Sequence, residues 1–231
     1  MARARSGPAR GVGRLNPPES LAAGLVGRPA AVLLDMDGTL VDSDAAVERA
    51  WTSWAAEHGV DPDAVLAIAH GSPSEMTVRR MLPDLDDRAV ARAVARLDSS
   101  EDDVSDVVAA PGADALLAAL DRLALPWAVV TSADTRLARA RLGAAGIPDP
   151  PLLVTLDDVR VGKPDPEGYL LAARRLGVDP ARCLVVEDAE PGVVAGRAAG
   201  AVVVGLRGVP ADVAVADLGE LAAALLASRQ R

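Results

Sequence analysis

The chain has 231 residues and a formal net charge of −9 at pH 7, and half of its residues are hydrophobic. This length and apolar content suffice for one sizeable domain with an insertion, or for two small domains. The negative charge argues against an extended nucleic-acid surface or an anionic-membrane surface, because both require a basic stripe. Phe is absent and aromatic residues make up only 2% of the chain, so aliphatic side chains must fill the core.

Residues 1–29 are rich in Arg, Gly and Pro and lack the continuous apolar stretch of a signal peptide. We expect a disordered or loosely packed N-terminal tail. No later apolar run is long enough to cross a bilayer. The single cysteine, Cys183, lies in an apolar run and has no partner for an internal disulfide, which predicts a core thiol in a reducing, cytoplasmic protein.

Short apolar runs alternate with helical patterns from residue 30 onward. Continuous hydrophobicity without alternation is typical of strands that are covered on both faces. The sequence therefore predicts an α/β fold with a Rossmann-like parallel sheet. The predicted strands are AVLLDMD (31–37), PWAVVTS (126–132), PLLVTL (151–156), CLVVED (183–188) and AVVVGL (201–206).

A long segment between the first two predicted strands interrupts this alternation of strands and helices. Apolar residues recur at helical spacing in residues 44–59 and 87–98. We predict a small helical cap over residues 43–109, inserted after the first strand of a core formed by residues 30–42 and 110–231. The acidic run SSEDDVSD, residues 99–106, is predicted to be a solvated loop or the start of a helix.

Polar residues follow the predicted strands at one edge of the sheet, where open parallel sheets bind their ligands. Taken alone, each has a structural explanation: Asp-x-Asp-Gly is a common turn, hydroxyls and acids cap helices, and lysines are usually solvated. Their recurrence at four successive strand ends favours a site that holds Mg²⁺, which prefers oxygen ligands. The candidates are Asp35, Asp37, Thr131, Ser132, Lys163, Glu187 and Asp188.

Four segments in this order resemble the motifs of the haloacid dehalogenase (HAD) superfamily, in the subfamily (IA) whose helical cap follows the first strand. They are DMDGTL (35–40), VVTS (129–132), GKPDPE (162–167) and VVEDAEPG (185–192). The chain is most similar to small sugar- and polyol-phosphate phosphatases of the glycerol-phosphate and deoxyglucose-phosphate kind. Those enzymes share the His70-Gly71 pair and the WAV-x-TS pattern of residues 127–132.

The resemblance implies a Mg²⁺-dependent phosphomonoesterase that acts on a small phosphorylated metabolite through an aspartyl-phosphate. Asp35 would be the nucleophile, and Asp37 the general acid and then the general base. The metal would be held by Asp35, the backbone carbonyl of Asp37 and Asp188, with Glu187 nearby.

The remaining candidates would bind the phosphate and the leaving group. Lys163, Thr131 and Ser132 are expected at the phosphate oxygens. In the cap, we expect His70 to Arg80 to face the substrate, with His70, Gly71 and Arg79 as the named candidates and Arg80 as a weaker one. An inserted cap over one core is compatible with a monomer.

Proteins with three other functions resemble the same core. A β-phosphoglucomutase-like isomerase needs a cationic cap group for its second phosphate, and such mutases carry Arg where Ser74 stands and His where Val47 stands. Arg79 or Arg80 are the available substitutes. A dehalogenase would lack the second acid, which Asp37 supplies. A non-catalytic phosphosugar-binding protein would have lost a nucleophile, an acid or a metal ligand.

Overall fold

The computed structural model describes residues 29–101 and 103–228. The predicted N-terminal tail, residues 1–29, lies outside the described residues except for Pro29. The strands in chain order are β1 (Ala31–Leu34), β2 (Val41–Asp42), β3 (Val108–Ala109), β4 (Trp127–Val130), β5 (Leu153–Val154), β6 (Cys183–Glu187), β7 (Val202–Gly205) and β8 (Val213–Ala214). The helices are α1 (Asp44–His58), α2 (Pro62–Ala69), α3 (Ser74–Met81), α4 (Asp87–Ser100), α5 (Ala113–Arg122), α6 (Thr135–Ala144), α7 (Glu167–Leu176), α8 (Glu190–Ala198) and α9 (Leu218–Ser228).

A six-stranded parallel sheet in the order β5-β4-β1-β6-β7-β8 confirms the predicted α/β fold. Alternate residues of β1 enter two different hydrophobic clusters. Val32 and Leu34 pack with α5, α6 and α9 on one face. Ala31 and Leu33 pack with α7 and α8 on the other face. Both faces of the sheet are therefore covered, which is why its strands read as unbroken apolar runs.

The central position of β1 determines where the site can form. The chain runs from β1 to β4 and β5 on one side, and then returns through β6 to the other side. Strand order thus reverses at β1, and a crevice opens beyond the carboxyl ends of the strands at such a point. Leu34 pairs in register with Val129 and Val186, so the polar residues after these three strands are neighbours.

Some predicted strands are longer than those observed. β1 ends at Leu34, although the backbone amide of Asp35 still donates to the carbonyl of Val186 at 3.0 Å. The sequence patterns also missed β2, β3 and β8, each of which has two residues. Such short strands are defined by their pairing partners and not by a pattern of their own.

Helices α1 to α4 pack around a hydrophobic cluster of their own. Trp54 at its centre is 2% exposed, and its indole Nε1 donates to the carbonyl of Ala93 at 3.1 Å. The antiparallel ribbon of β2 and β3 lies where the chain leaves the core and where it returns. We therefore retain, as a proposal, residues 43–109 as the cap.

Cys183 begins β6, and its thiol is buried. Burial raises the pKa of that thiol to about 11. Across the described ranges, no helix combines the length and the apolar character that crossing a bilayer requires.

Candidate active site at the carboxyl end of the sheet

Asp35, Lys163, Glu187 and Asp188 meet at the end of β1 and β6. The Nζ atom of Lys163 donates to Asp35 Oδ1 and, at 2.7 Å, to Glu187 Oε1. The side chains of Asp35, Lys163 and Glu187 are almost fully buried. Carboxylate oxygens of Asp35, Glu187 and Asp188 lie within 4.8 Å of one another. Residues far apart in the chain thus form one charged cluster.

Glu187 is the most enclosed member of this cluster, with 0% exposure. Its Oε1 atom accepts hydrogen bonds from Lys163 and from the hydroxyl of Tyr169. Its Oε2 atom is buried and has no hydrogen-bond partner among the described protein atoms. A Cβ added at Gly192 would overlap this carboxylate, so glycine is required where α8 begins beside Glu187.

Gly38 has the same role for Asp188. Its φ of +80° is in the left-handed region that glycine adopts without strain. A Cβ at this position would also overlap the Asp188 carboxylate. The glycine of the Asp-Met-Asp-Gly turn therefore permits both the turn and the close approach of an acid from the neighbouring strand.

The charges of this cluster do not balance. Burial, and then the neighbouring Glu187, raises the pKa of Asp35 to about 7. Burial, and then Asp35, raises the pKa of Asp188 to about 7 as well. Burial alone would lower the pKa of Lys163, but Asp35 and Glu187 outweigh it and raise the value. Three carboxylates thus face one ammonium group.

A divalent cation fits this imbalance. Ionising all three acids beside Lys163 leaves more negative than positive charge within this cluster. The unpartnered Oε2 of Glu187 adds an oxygen that lacks a hydrogen bond. Hard cations take such carboxylate oxygens as ligands. The described residues therefore form an acidic cluster that could hold a metal ion.

Asp37 is held apart from that cluster by two donors. The hydroxyl of Ser43 donates to Asp37 Oδ1 at 2.7 Å. The Nη1 atom of Arg141 lies 2.8 Å from Asp37 Oδ2. The side chain of Asp37 remains 25% exposed, so it can reach a bound ligand.

Arg141 joins Asp37 to the cap. Its Nη2 atom lies 3.0 Å from Oε1 of Glu101, which directly follows helix α4. The Arg141 and Glu101 side chains are 4% and 7% exposed. Burial, opposed by Arg141, raises the pKa of Glu101. The predicted solvated position of residues 99–106 is therefore wrong for Glu101, because this carboxylate has a buried ion-pair partner in the core.

Four residues of the site were not predicted from the sequence: Arg141, Glu101, Ser43 and Tyr169. Arg141 did carry a signal, because it lies on the buried face of α6 between Ala138 and Leu142. A charged residue on such a face needs a buried partner. Glu101 carried no signal, since it stands among other acids in the sequence.

Thr131 and Ser132 follow β4 and border the same crevice. Thr131 is 6% exposed, and its hydroxyl accepts a hydrogen bond from the amide of Ala133 at 3.1 Å. The hydroxyl of Ser132 donates to the carbonyl of Gly71 at 3.1 Å, which links the core to the cap. Neither residue caps α6, because Asp134 occupies that position and accepts from the amide of Leu137.

The predicted cap residues separate into two groups. His70 and Gly71 line a cavity of about 170 Å³ that also contacts Asp35, Asp37 and Thr131. Arg79 instead forms ion pairs with Glu75 and Asp87 at 2.8 and 2.9 Å on the cap surface. Arg79 and Arg80 are not among the described residues that line this cavity.

Comparison with known proteins agrees with this geometry. The family described as haloacid dehalogenase-like hydrolase matches residues 29–200. The chain belongs to the haloacid dehalogenase-like hydrolases. The resemblance noted from the four sequence segments is therefore confirmed.

Two curated relatives of this hydrolase are phosphatases. Hexitol phosphatase A of Escherichia coli (strain K12) is 45% identical over 181 residues, which cover 78% of this chain and 83% of the relative. The 2-deoxyglucose-6-phosphate phosphatase 1 of Saccharomyces cerevisiae is 36% identical over 192 residues, covering 75% and 78%. A crystal structure of a hydrolase from Pseudomonas syringae matches with a TM-score of 0.71 and 28% identity, covering 77% of this chain and 84% of that one.

Replacing Arg141 with Met should destabilise the hydrolase by about 3 kcal/mol or more, because Asp37 and buried Glu101 would lose their counter-charge. Urea unfolding followed by circular dichroism measures this loss. The matched control is Arg139→Met on the same helix, where the ion pair with Asp149 is exposed and worth about 0.5 kcal/mol or less. Equal losses in the two variants would show that the Arg141 network contributes nothing specific.

The metal-free hydrolase should lose stability as pH rises from about 4 to about 7. The pKa values of Asp35 and Asp188 are raised from 3.8 to about 7 in the folded chain. The unfolded chain therefore releases these protons at lower pH, and ionisation then favours unfolding. A divalent cation should reverse the loss if the cluster holds one, because a cation takes the ionised carboxylates as ligands.

Thermal unfolding across this pH range, with and without Mg²⁺, measures both effects. Asp188→Asn should reduce the pH-dependent decline and the stabilisation by Mg²⁺ together. A Mg²⁺ effect that is unchanged in this variant would mean that the ion binds elsewhere.

Proposed function

We propose that this protein is a Mg²⁺-dependent phosphomonoesterase that hydrolyses a small sugar or polyol phosphate through an aspartyl-phosphate. The observation that carries the proposal is the buried contact of Lys163 with Asp35 beside Glu187 and Asp188, at a cavity that also contains Asp37. The relatives named as hexitol and deoxyglucose-6-phosphate phosphatases support the substrate class.

Asp35 is the nucleophile in this mechanism. Its carboxylate attacks phosphorus, the bond from phosphorus to the ester oxygen breaks, and the phosphoryl group is left on Asp35. A carboxylate needs no general base to make it nucleophilic once it is ionised. Lys163, in contact with Asp35 Oδ1, favours the ionised form.

Asp37 transfers the protons. As a general acid it protonates the departing ester oxygen, which leaves as an alcohol. As a general base it then accepts a proton from the water that attacks the aspartyl-phosphate, and Asp35 is regenerated with release of inorganic phosphate. Ser43 and Arg141 hold the Asp37 carboxylate in one orientation, which limits the conformations in which it can exchange a proton.

Mg²⁺ would be held by Asp35, Asp188 and the backbone carbonyl of Asp37, with Glu187 beside them. When bound, it supplies positive charge that reduces the repulsion between an anionic phosphate and these carboxylates. Lys163 and the hydroxyl of Thr131 would bind the remaining phosphate oxygens as charge moves in the transition state. Ser132, through its bond to Gly71, would hold the cap loop against the core.

The side chains that line the cavity argue against a mutase. The two positions where β-phosphoglucomutase-like enzymes carry a cation, occupied here by Ser74 and Val47, both line the cavity. Arg79 does not replace that charge, because it pairs with Glu75 and Asp87. Arg141 lines the cavity but already pairs with Asp37 and Glu101.

Product analysis with glucose 1-phosphate separates these two activities. We expect free phosphate and glucose, since the arginine among the described residues that line this cavity, Arg141, is already paired with Asp37 and Glu101. The measurement is a colorimetric phosphate assay together with an enzymatic assay for glucose 6-phosphate. Glucose 6-phosphate as the main product would establish the mutase instead.

Asp35→Asn should abolish phosphate release while leaving the fold intact, because the amide has the same shape but is not a nucleophile. Its thermal unfolding temperature should not fall, since the substitution removes a buried charge. Asp114→Asn, an exposed change on α5, is the control and should keep full activity. Phosphate release is measured across a panel of sugar and polyol phosphates, with and without Mg²⁺.

Acid quench during turnover should trap a phosphorylated peptide that contains residue 35, detected by mass spectrometry. Near-normal hydrolysis by folded Asp35→Asn would remove the nucleophile assignment. No phosphate release by the unmodified protein on any ester would favour a non-catalytic phosphosugar-binding protein.

A further inference from the structure

The direction of the Asp37 carboxylate depends on contacts from two other parts of the chain. The terminal torsion of an aspartate side chain is broad, so burial alone does not fix a carboxylate that is 25% exposed. The hydroxyl of Ser43 donates to Oδ1, and Nη1 of Arg141 lies 2.8 Å from Oδ2. Each carboxylate oxygen can accept more than one hydrogen bond. These two contacts therefore leave acceptor positions for a substrate in the cavity that Asp37 lines.

Arg141 is itself fixed from two directions. Its backbone lies on the buried face of α6, between Ala138 and Leu142. Its Nη2 atom donates to Oε1 of Glu101 at 3.0 Å, and the two side chains are 4% and 7% exposed. Glu101 directly follows α4, so a residue of the proposed cap holds the guanidinium group that contacts Asp37. A continuous buried chain of contacts thus runs from the end of α4 to the cavity.

Structural stability alone does not account for this chain of contacts. The Nε atom of Arg141 is buried and has no hydrogen-bond partner among the described protein atoms. A buried N–H group without a partner costs free energy. A buried ion pair is often no more stabilising than well-packed apolar side chains of similar volume. The two terminal nitrogens of Arg141 nevertheless contact carboxylates, and one of these belongs to Asp37, the proposed acid and base.

We propose that Arg141 and Glu101 are positioning residues for proton transfer: Glu101 holds Arg141, and Arg141 directs the carboxyl group of Asp37 at the departing ester oxygen. This inference rests on the proposed phosphatase function and adds to it two residues that act through Asp37. In the step concerned, Asp35 bonds to phosphorus, the ester bond breaks, and the proton of Asp37 moves to the departing oxygen. A displacement of about 1 Å in such a group can slow a reaction roughly 100-fold.

The leaving group of the ester distinguishes this role from a general effect on the fold. Sorbitol 6-phosphate releases an alcohol oxygen, which needs a proton as it departs. Acetyl phosphate releases acetate, a stable anion that leaves without a proton. Because kcat/KM compares the transition state with free protein and free ester, and departure of the leaving group is irreversible at initial rates, the later hydrolysis of the aspartyl-phosphate does not enter the comparison.

Arg141→Lys keeps the positive charge on α6 but loses the planar fork that contacts two carboxylates. We expect kcat/KM to fall by about tenfold or more for sorbitol 6-phosphate, and by less than about twofold for acetyl phosphate. Glu101→Gln should act in the same direction but less strongly, because its amide oxygen can still accept from Arg141. Arg139→Lys is the control, since the ion pair of Arg139 with Asp149 is exposed, and it should change neither value. A coupled enzymatic assay at neutral pH measures phosphate release, because acetyl phosphate is labile in acid.

A double variant provides a second measurement that does not depend on acetyl phosphate. In an Asp37→Asn background, Arg141→Lys should lower kcat/KM for sorbitol 6-phosphate by less than about twofold, because the group that Arg141 positions is already lost. A residue that only stabilised the fold would cause the same loss in both backgrounds. Thermal unfolding of each variant shows that the protein assayed is folded.

Equal losses for the two esters in Arg141→Lys would overturn the inference and leave the phosphatase function standing. An undiminished loss in the Asp37→Asn background would do the same, and this result decides the matter if acetyl phosphate is not hydrolysed. Absence of phosphate release from every sugar and polyol phosphate would instead overturn the proposed function, and the inference with it.

Discussion

The buried contact of Lys163 with Asp35 and Glu187 is the constraint on which the site depends. It joins the loop after β1, the loop after β5 and the end of β6 through one ammonium group. Removing a lysine from water is costly unless carboxylates surround it, and these carboxylates exceed the charge that one lysine can neutralise. The same excess of negative charge makes the cluster suitable for a cation.

Glycines at two backbone positions leave space for the crowded carboxylates of this cluster. Gly38 and Gly192 stand where a side chain would overlap Asp188 or Glu187. Tyr169 lies in the apolar cluster on the face of the sheet that α7 and α8 cover, and its hydroxyl donates a hydrogen bond to Glu187. The packed helices α7 and α8 therefore support the cluster from one face of the sheet, whereas Asp35 and Asp37 line the cavity.

The cap is tied to this core by polar contacts at several points. Ser132 reaches Gly71 on one side of the cavity, and Arg141 reaches Glu101 on another. Arg207, in the loop after β7, pairs with Asp44 at the start of α1. Because Arg141 also holds Asp37, one guanidinium group links the proposed cap to the proposed acid-base residue.

The sheet, most of its strands and the helices around it could be predicted from the sequence, because unbroken apolar runs and helical spacing indicate burial in each segment separately. The positions of Asp35, Asp37, Thr131, Glu187 and Asp188 at strand ends, and of Lys163 in the loop after β5, could be predicted in the same way. Which of these residues touch one another could not be predicted, since hydrogen bonding between β1, β4 and β6 sets their register. The role of Glu101 also depends on the folded chain, because its partner Arg141 lies 40 residues away. The same holds for β2, β3 and β8, which are defined by pairing with distant segments. Local sequence patterns record whether a residue is buried, whereas the identity of its neighbour depends on how separate elements pack.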